Sequence, residues 1–286
     1  MATVRELRDR IRSLRNTQQI TKAMKQVAGA KIRRAEAAQR RARPYAQTLG
    51  AMLRDLAAAV STVDHPFMRP GRGGAPAGTI VMTADKGLAG AFNANVIRAA
   101  ETFARAHGGA SFYSIGAKAR NALRRTAGEH PSWPLGGEKL ETARAVAATV
   151  TEDFVAGRIG EVVLVSSTLV SMMSQRPVVR TLVPIVKEEL AGGATHEEPK
   201  GAVEFLPSPE FVLARLLPKY LEFTIYSAML ETDAAFFAAQ LVAMSNATDN
   251  AGKAIDELTI AMNNARQAAI TKELLEVVAG AEALAG

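Results

Sequence analysis

The sequence predicts an α/β domain inserted on a long antiparallel coiled coil, the two helices of the coil coming from opposite ends of the chain. Apolar residues recur at steps of three and four over both ends, the mark of a helix with one buried seam. The two ends carry opposite net charge, and between them the pattern changes to short apolar runs alternating with amphipathic stretches. The expected boundaries are residues 1–60 for the first helix, 61–208 for the insert with its flanking loops, and 209–286 for the last helix.

At the start, Val4, Leu7, Ile11 and Leu14 set the seam, which resumes as Ala35, Ala38, Ala42, Tyr45, Leu49, Met52 and Leu56. A helix of more than about 50 residues follows, against a usual length of about 11 to 12, with a bend expected at Pro44 where one backbone donor is missing. At the other end, Phe237, Leu241, Met244, Thr248, Ala251, Ile255, Leu258, Met262, Ala265 and Ala269 alternate strictly between steps of four and three. That 3.5-residue repeat imposes a left-handed supercoil on whatever packs against it. With Pro218 read as a first-turn proline, the helix would run over 219–280, about 93 Å at 1.5 Å per residue.

Residues 1–43 hold 13 Lys or Arg against 3 Asp or Glu, and residues 209–286 hold 5 against 10. This complementarity, with the small seam residues Ala35, Ala38, Ala42, Ala251, Ala265 and Ala269, points to pairing within the chain. Dimerisation of either helix with a second copy is the alternative. Beyond the seam, Ile270, Leu274, Leu275, Val277 and Val278 fit no single stripe. A segment apolar on several sides requires burial, so the stretch from Ile270 to Leu284 is expected to need an apolar sleeve from outside its own chain.

The insert begins with a Pro/Gly loop, "HPFMRPGRGGAPAG" (65–78). After it "TIVMTAD", "ASFYSIG", "EVVLVSS" and "PVVRTLVPI" read as strands, and "NANVIRAAETFARAHGG" and "EKLETARAVAATVTEDFVAG" as helices. Strands alternating with helices indicate a parallel or mixed sheet flanked by helices, a small Rossmann-like domain.

Composition removes several chemistries. There is no cysteine, hence no disulfide, thiolate metal site or Cys nucleophile. His65, His107, His130 and His196 lie at wide spacings, unlike a zinc site, and read as surface or loop residues. No run of about 18 apolar residues suggests a membrane span. The Arg-rich opening resembles a transit peptide, but Glu6 and Asp9 interrupt it, so it is expected to belong to the fold.

The loop "TADKGLAGAFNANV" (83–96) follows a strand and precedes a helix, where a dinucleotide-binding fold holds a pyrophosphate. Gly87 and Gly90 give G-x-x-G rather than G-x-G-x-x-G, and no acidic residue ends the second strand; Asp85 and Lys86 are expected to make polar contacts at the strand end instead. Other phosphate-loop, nucleophile-elbow, zincin and calcium motifs are missing. Ser166 and Ser167 read as turn-forming residues, and Thr271 and Glu273, at i and i+2, point to different faces. No catalytic residue, cofactor or metal is expected.

Three function classes are left by the residues alone. An interaction subunit is suggested by the two seamed helices and the charge asymmetry of the two ends. A nucleic-acid-binding coiled coil would use the basic first 43 residues, which lack any aromatic to stack on bases. A small nucleotide-dependent enzyme rests only on the α/β insert.

Three blocks then resemble one family, the gamma subunit of the bacterial-type rotary ATP synthase. "NTQQITKAMKQVAGAKIRRAE" (16–36) is similar to its N-terminal helix, "TADKGLAGAFNANV" to its central loop, and "ATDNAGKAIDELTIAMNNARQAAITKELLEVVAGA" (247–281) to its C-terminal signature. The chain departs from the family at Ala89, where a cysteine is common before the second glycine; the departure removes a thiol and nothing more. The resemblance implies a central-stalk rotor subunit whose paired helices turn inside a ring of alpha and beta subunits, with ATP made on beta. It implies a foot that grips the epsilon subunit and the membrane c ring. It implies a peripheral position on the cytoplasmic face of the bacterial inner membrane through the complex, with no direct membrane insertion, no nucleic acid and no homo-oligomer. By motif correspondence Arg266, Gln267, Thr271 and Glu273 match positions that contact beta-subunit loops. Met24 matches a position near the beta lever loop, and the basic run Lys22, Lys25, Lys31, Arg33 and Arg34 would face acidic segments of those neighbours, Lys25 with Met24 being counted in the partner interface.

Overall fold

A computed structural model describes residues 3–59, 65–185, 206 and 208–285, excluding the side chains of 57–59, 209 and 282–285. His196 and the side chain of Leu284 lie outside this description. The chain comprises α1 (Val4–Ala59), β1 (Ala77–Met82), α2 (Phe92–Ala106), β2 (Ala110–Ile115), α3 (Ala117–Ala127), β3 (Ser132–Trp133), α4 (Lys139–Val155), β4 (Glu161–Ser171), β5 (Ser174–Val183) and α5 (Pro209–Ala285). It divides into two compact units, a larger one spanning Gly29–Gln240 and a smaller one made of Met1–Ala28 and Leu241–Gly286.

In the larger unit the strands form one sheet in the order β3-β2-β1-β4-β5. β1 pairs parallel with β2 and β4, β2 pairs parallel with β3, and only the β4–β5 hairpin is antiparallel. All six residues of β1 are buried, as expected for a central strand covered on both faces. Alternation along the strand sends them to opposite sides. Val81 joins Val165 under Val96 and Ala100 of α2 and Ala119 and Leu123 of α3. Ile80 and Met82 join Leu164 in the main core, against Val146 and Val150 of α4, Leu49, Leu53 and Leu56 of α1, and Leu213, Leu217, Leu221 and Ile225 of α5. Segments of the two long helices thus form part of the layer that covers one face of the sheet.

In the smaller unit α1 and α5 pack antiparallel, since Gln18 and Thr21 meet Thr248 while Lys25 meets Ser245. Leu7, Ile11, Thr21 and Ala28 of α1 and Met244, Ala251 and Ile255 of α5 are its buried residues. The seam of α5 stays at least half-buried through Ala265, but Ala269 is exposed.

Several sequence expectations change. α5 begins at Pro209 and runs through Pro218; the Ser208 hydroxyl accepts from the Phe211 amide at 3.3 Å, so Ser208 is the cap and Pro209 the first-turn proline. Pro44, by contrast, lies within a single long α1, as the seam predicts. Tyr45 and Met52 are exposed instead of seamed, because here α1 packs on the sheet domain as well as on α5, and its inward face becomes Leu49, Leu53 and Leu56. β4 continues to Ser171, so Ser166 and Ser167 lie within a strand rather than at a turn, and Ser167 donates to the Arg176 carbonyl at 3.4 Å. α3 and the two-residue β3 had no sequence counterpart in the alternation of strands and helices. Finally, among the described residues neither unit holds an ion pair between α1 and α5: the opposite charges do not act as a zipper.

Candidate partner interface

The loop after β1 occupies the place where a dinucleotide-binding fold would cradle phosphate, and its polar groups are spent internally. Asn93 closes it: the Oδ1 accepts from the Ala84 amide at 2.9 Å and the Nδ2 donates to the Lys86 carbonyl at 3.2 Å. The Asp85 carboxylate accepts from the amides of Ala117, Leu135 and Gly136 at 3.0, 3.3 and 2.9 Å. An anion therefore already sits at the N-terminus of α3, where the helix dipole favours one. Gly116 makes this possible: at φ 98° it passes so close to Thr83 that a Cβ would lie 2.0 Å from the Thr83 carbonyl oxygen. The contacts expected of Asp85 are present, while Lys86 contributes only its carbonyl.

The same loop fastens the insert to α5. Ala84, Ala89 and Phe92 bury against Ala235, Phe236 and Ala239, and the rings of Phe92 and Phe236 meet edge to face at 5.7 Å. Ala89 is one of the buried residues of this contact, as suits a small apolar side chain. Two polar ties reinforce it. Lys139 of α4 pairs with Asp233 of α5 at 2.8 Å, both largely buried, and the Thr168 hydroxyl of β4 donates to Glu231. Burial raises the pKa of Asp233, an effect that Lys139 opposes and Asp85 adds to.

Other titratable groups are structural too. Tyr113 of β2 donates to Asp153 of α4, which Arg158 holds at 2.5 Å; burial first, and then the Asp153 carboxylate, push the tyrosine hydroxyl above its usual range. His130 bridges Ser114 and the Gly128 carbonyl, and His65 accepts from the Phe67 amide. Among the described residues no three His, Cys, Asp or Glu side chains converge to hold a metal, and no helix is long and apolar enough to cross a membrane.

Past Ala265 every described side chain of α5 is exposed, including Ile270, Leu274, Leu275, Val277 and Val278. Leu275 and Val277 show 64% and 68% of their surface, and nothing in their own unit covers them. Ile20, Val27 and Ile260 are exposed in the same unit. Apolar surface of this extent marks an interaction site.

The residues singled out from sequence fall into two groups on this unit. Arg266, Gln267, Thr271 and Glu273 are exposed on α5. At about 100° per residue, Arg266 and Glu273 share one stripe and Gln267 and Thr271 another about 120° away; the Thr271 hydroxyl donates back to the Gln267 carbonyl at 3.0 Å. Met24 is half-buried and Lys25 exposed on α1, where Lys25 Nζ donates to Ser245 Oγ at 2.9 Å. Since Ser245 precedes Arg266 by 21 residues, the two groups lie about 31 Å apart along α5. The structure does not bring them together; they are two separate points on one helical pair. Of the basic run, Lys22, Arg33 and Arg34 are exposed, while Lys31 lies over the Phe237 ring at 5.1 Å.

Sequence reasoning missed the polar layer of Gln18, Thr21 and Thr248, of which only Thr248 stood in the expected seam. It also missed the ties of Lys139, Glu231 and Asp233, which lie far apart in sequence.

A family model described as ATP synthase matches residues 3–284. The ATP synthase gamma chain of Phenylobacterium zucineum (strain HLK1) is 43% identical over 293 aligned positions, covering 99% of this chain and 100% of that one. The ATP synthase gamma chain of Heliobacterium modesticaldum is 42% identical, again over 99% and 100%. Among solved structures, a chain of the Euglena gracilis mitochondrial ATP synthase, from a structure of its OSCP/F1/c-ring, is similar with a TM-score of 0.68 at 19% identity, over 98% of this chain and 94% of that one. A chain of the Tetrahymena thermophila central stalk/c-ring structure has a TM-score of 0.60 at 24% identity, over 80% and 99%.

Proposed function

The chain belongs to the ATP synthase gamma-chain family and is a central-stalk rotor component, and from that membership we propose that it carries torque from a membrane rotor ring to catalytic beta subunits. In this reading ATP is made or hydrolysed on beta, and this chain contributes no catalytic group. Its partners are the alpha and beta subunits around the helical pair and epsilon and the c ring at the insert. The complex holds it peripherally on the cytoplasmic face of the inner membrane.

The observation that carries the proposal is the uncovered end of α5. An exposed apolar surface flanked by Arg266, Gln267, Thr271 and Glu273 suits the inside of a protein sleeve, where apolar contact bears the helix and charge-assisted bonds give grip. Two stripes about 120° apart can address more than one surrounding subunit at once. Met24 and Lys25 would form a second contact about 31 Å away, and the exposed Lys22, Arg33 and Arg34, unpaired with α5, are free to meet acidic neighbours. Load applied to the insert reaches α5 through the Lys139–Asp233 pair, the Thr168–Glu231 bond and the shared core, and α5 is one continuous helix from there to the exposed end.

The test is to replace Arg266 and Gln267 together by Ala in the assembled complex. Proton-driven ATP synthesis should fall about tenfold, as expected for charge-assisted bonds worth about 1.5 kcal/mol or more. Melting of the free chain should change little, because exposed substitutions stay within about 0.5 kcal/mol. A normal synthesis rate with a lowered melting temperature would make both residues merely structural. Failure of the chain to co-purify with ATP-hydrolysing alpha and beta subunits would defeat the whole proposal.

A further inference from the structure

In the larger unit, α1, α4 and α5 enclose a groove of about 600 Å³, within the usual range for small-molecule sites. One wall is aromatic: Tyr45, Phe223 and Tyr226 follow one another with ring centroids 4.7 and 5.8 Å apart. Tyr45 meets Phe223 at a tilt and is 53% exposed, so much of its surface remains available to another ring. Ala38, Ala42 and Leu140 add apolar lining, and the charged groups are mainly cationic, Arg41, Arg144 and Lys219 against a single carboxylate, Glu222.

That carboxylate is already engaged. Lys219 holds Glu222 at 2.9 Å and Arg144 approaches it at 3.8 Å. Arg144 also reaches Glu141 at 2.7 Å, whereas Arg41 has no carboxylate partner among the described residues. The groove thus combines a surplus of positive charge with a ring-stacking wall. Phe223 and Tyr226 also pack against the core of this unit, whereas Tyr45 and Arg41 stand outside it.

We propose that this groove binds a planar aromatic anion, the ring stacking on Tyr45 and Phe223 and the negative group lying between Arg41 and Arg144. Guanidinium groups suit this task because they offer planar, forked donors to carboxylate, sulfonate or phosphate oxygens and stack on rings as well. A nucleotide and a simple aromatic acid share this chemistry. The site is separate from the loop after β1, where Asp85 and Asn93 have consumed the donors.

The experiment is a fluorescence titration of the full-length chain with 8-anilinonaphthalene-1-sulfonate, a ring-bearing anion. One saturable component should weaken about tenfold in Arg41→Glu and in Tyr45→Ala and persist in Arg41→Lys. It should be unaffected by Leu274→Ser, which alters the exposed apolar end. Both groove residues are exposed, so far-UV circular dichroism should match the parent chain. Competition by ADP identifies a nucleotide as the source of the ring and anion; competition by salicylate without ADP identifies an aromatic acid. The proposal is overturned by unchanged affinity in both groove variants, by loss of the component in Leu274→Ser, or by inorganic phosphate competing as well as the ring-bearing anions.

Discussion

Asp85 shows how one residue turns a binding motif into a fastening. Its carboxylate takes three backbone amides from the start of α3 and the segment before α4, so the anion that the loop geometry invites is supplied by the chain itself. Asp85→Ala strands these amides and should cost about 2–3 kcal/mol, read as a fall in the denaturant midpoint of the full chain; Asp85→Asn, which keeps one acceptor, should lose less. Asp233 behaves differently. Its folded pKa lies above the ordinary 3.8 through burial, so the unfolded chain gives up its proton first as pH rises. The acid form is therefore the more stabilising one, and its contribution is lost as pH climbs from 3.8 to the raised value. Denaturant midpoints followed upward from pH 3.8 should fall in the parent chain relative to Asp233→Asn; a parallel pair of curves would show that Lys139 fully offsets the burial. The Asp85 contact was legible in sequence, since an acid at a strand end before a glycine has few other roles. Asp233 was not, because its partner comes from α4, which only the folded chain places beside α5.

The seam gave away the two long helices, since a 3–4 repeat over tens of residues has no other explanation. It said less about their ends. Ala269 continues the repeat but is exposed, because a repeat persists in sequence whether or not the chain supplies a partner. The gap in the α1 seam between Leu14 and Ala35 has the opposite origin: its inward positions include Gln18 and Thr21, which an apolar pattern cannot register. There Thr21 and Thr248 share a hydroxyl bond of 2.8 Å, while Thr248 also contacts the Met244 carbonyl and Thr21 the Gln18 carbonyl. A polar layer of this kind fixes register at some expense in stability. In a double-mutant cycle, Thr21→Val and Thr248→Val should each destabilise by about 1 kcal/mol, and together by less than their sum. Strict additivity would mean that the two hydroxyls do not interact. α3 went unread for a related reason: "AKARNALRRTA" has only Leu123 as a large apolar residue, and its burial rests mainly on alanines.

At the scale of the molecule, the two units have cores of different quality. The larger one buries Leu49, Leu53, Leu56, Ile80, Met82, Leu213, Leu217, Leu221 and Ile225 with a sheet between helical layers. The smaller one has few large buried side chains, chiefly Leu7, Ile11, Met244 and Ile255, with alanines and threonines between them. Burial of apolar area is the main source of stability, so the smaller unit should open at lower denaturant. Trp133, the chain's one tryptophan, packs against the larger core and reports that unit alone, while circular dichroism at 222 nm reports helix in both. The dichroism should therefore lose a first fraction before Trp133 fluorescence changes. Two substitutions distinguish this from a single transition. Ile255→Ala should move only the early phase. Leu217→Ala, which empties a fully buried position and should cost about 2–5 kcal/mol, should move the Trp133 transition and leave the early phase in place. If both substitutions shift both signals together, the chain unfolds as one cooperative body. A free rotor subunit with a weakly self-sufficient helical pair is what the proposed function requires: the surface left uncovered past Ala265 gains its stability from the surrounding subunits. On that reading, assembly with alpha and beta subunits should raise the early transition and leave the Trp133 transition less affected.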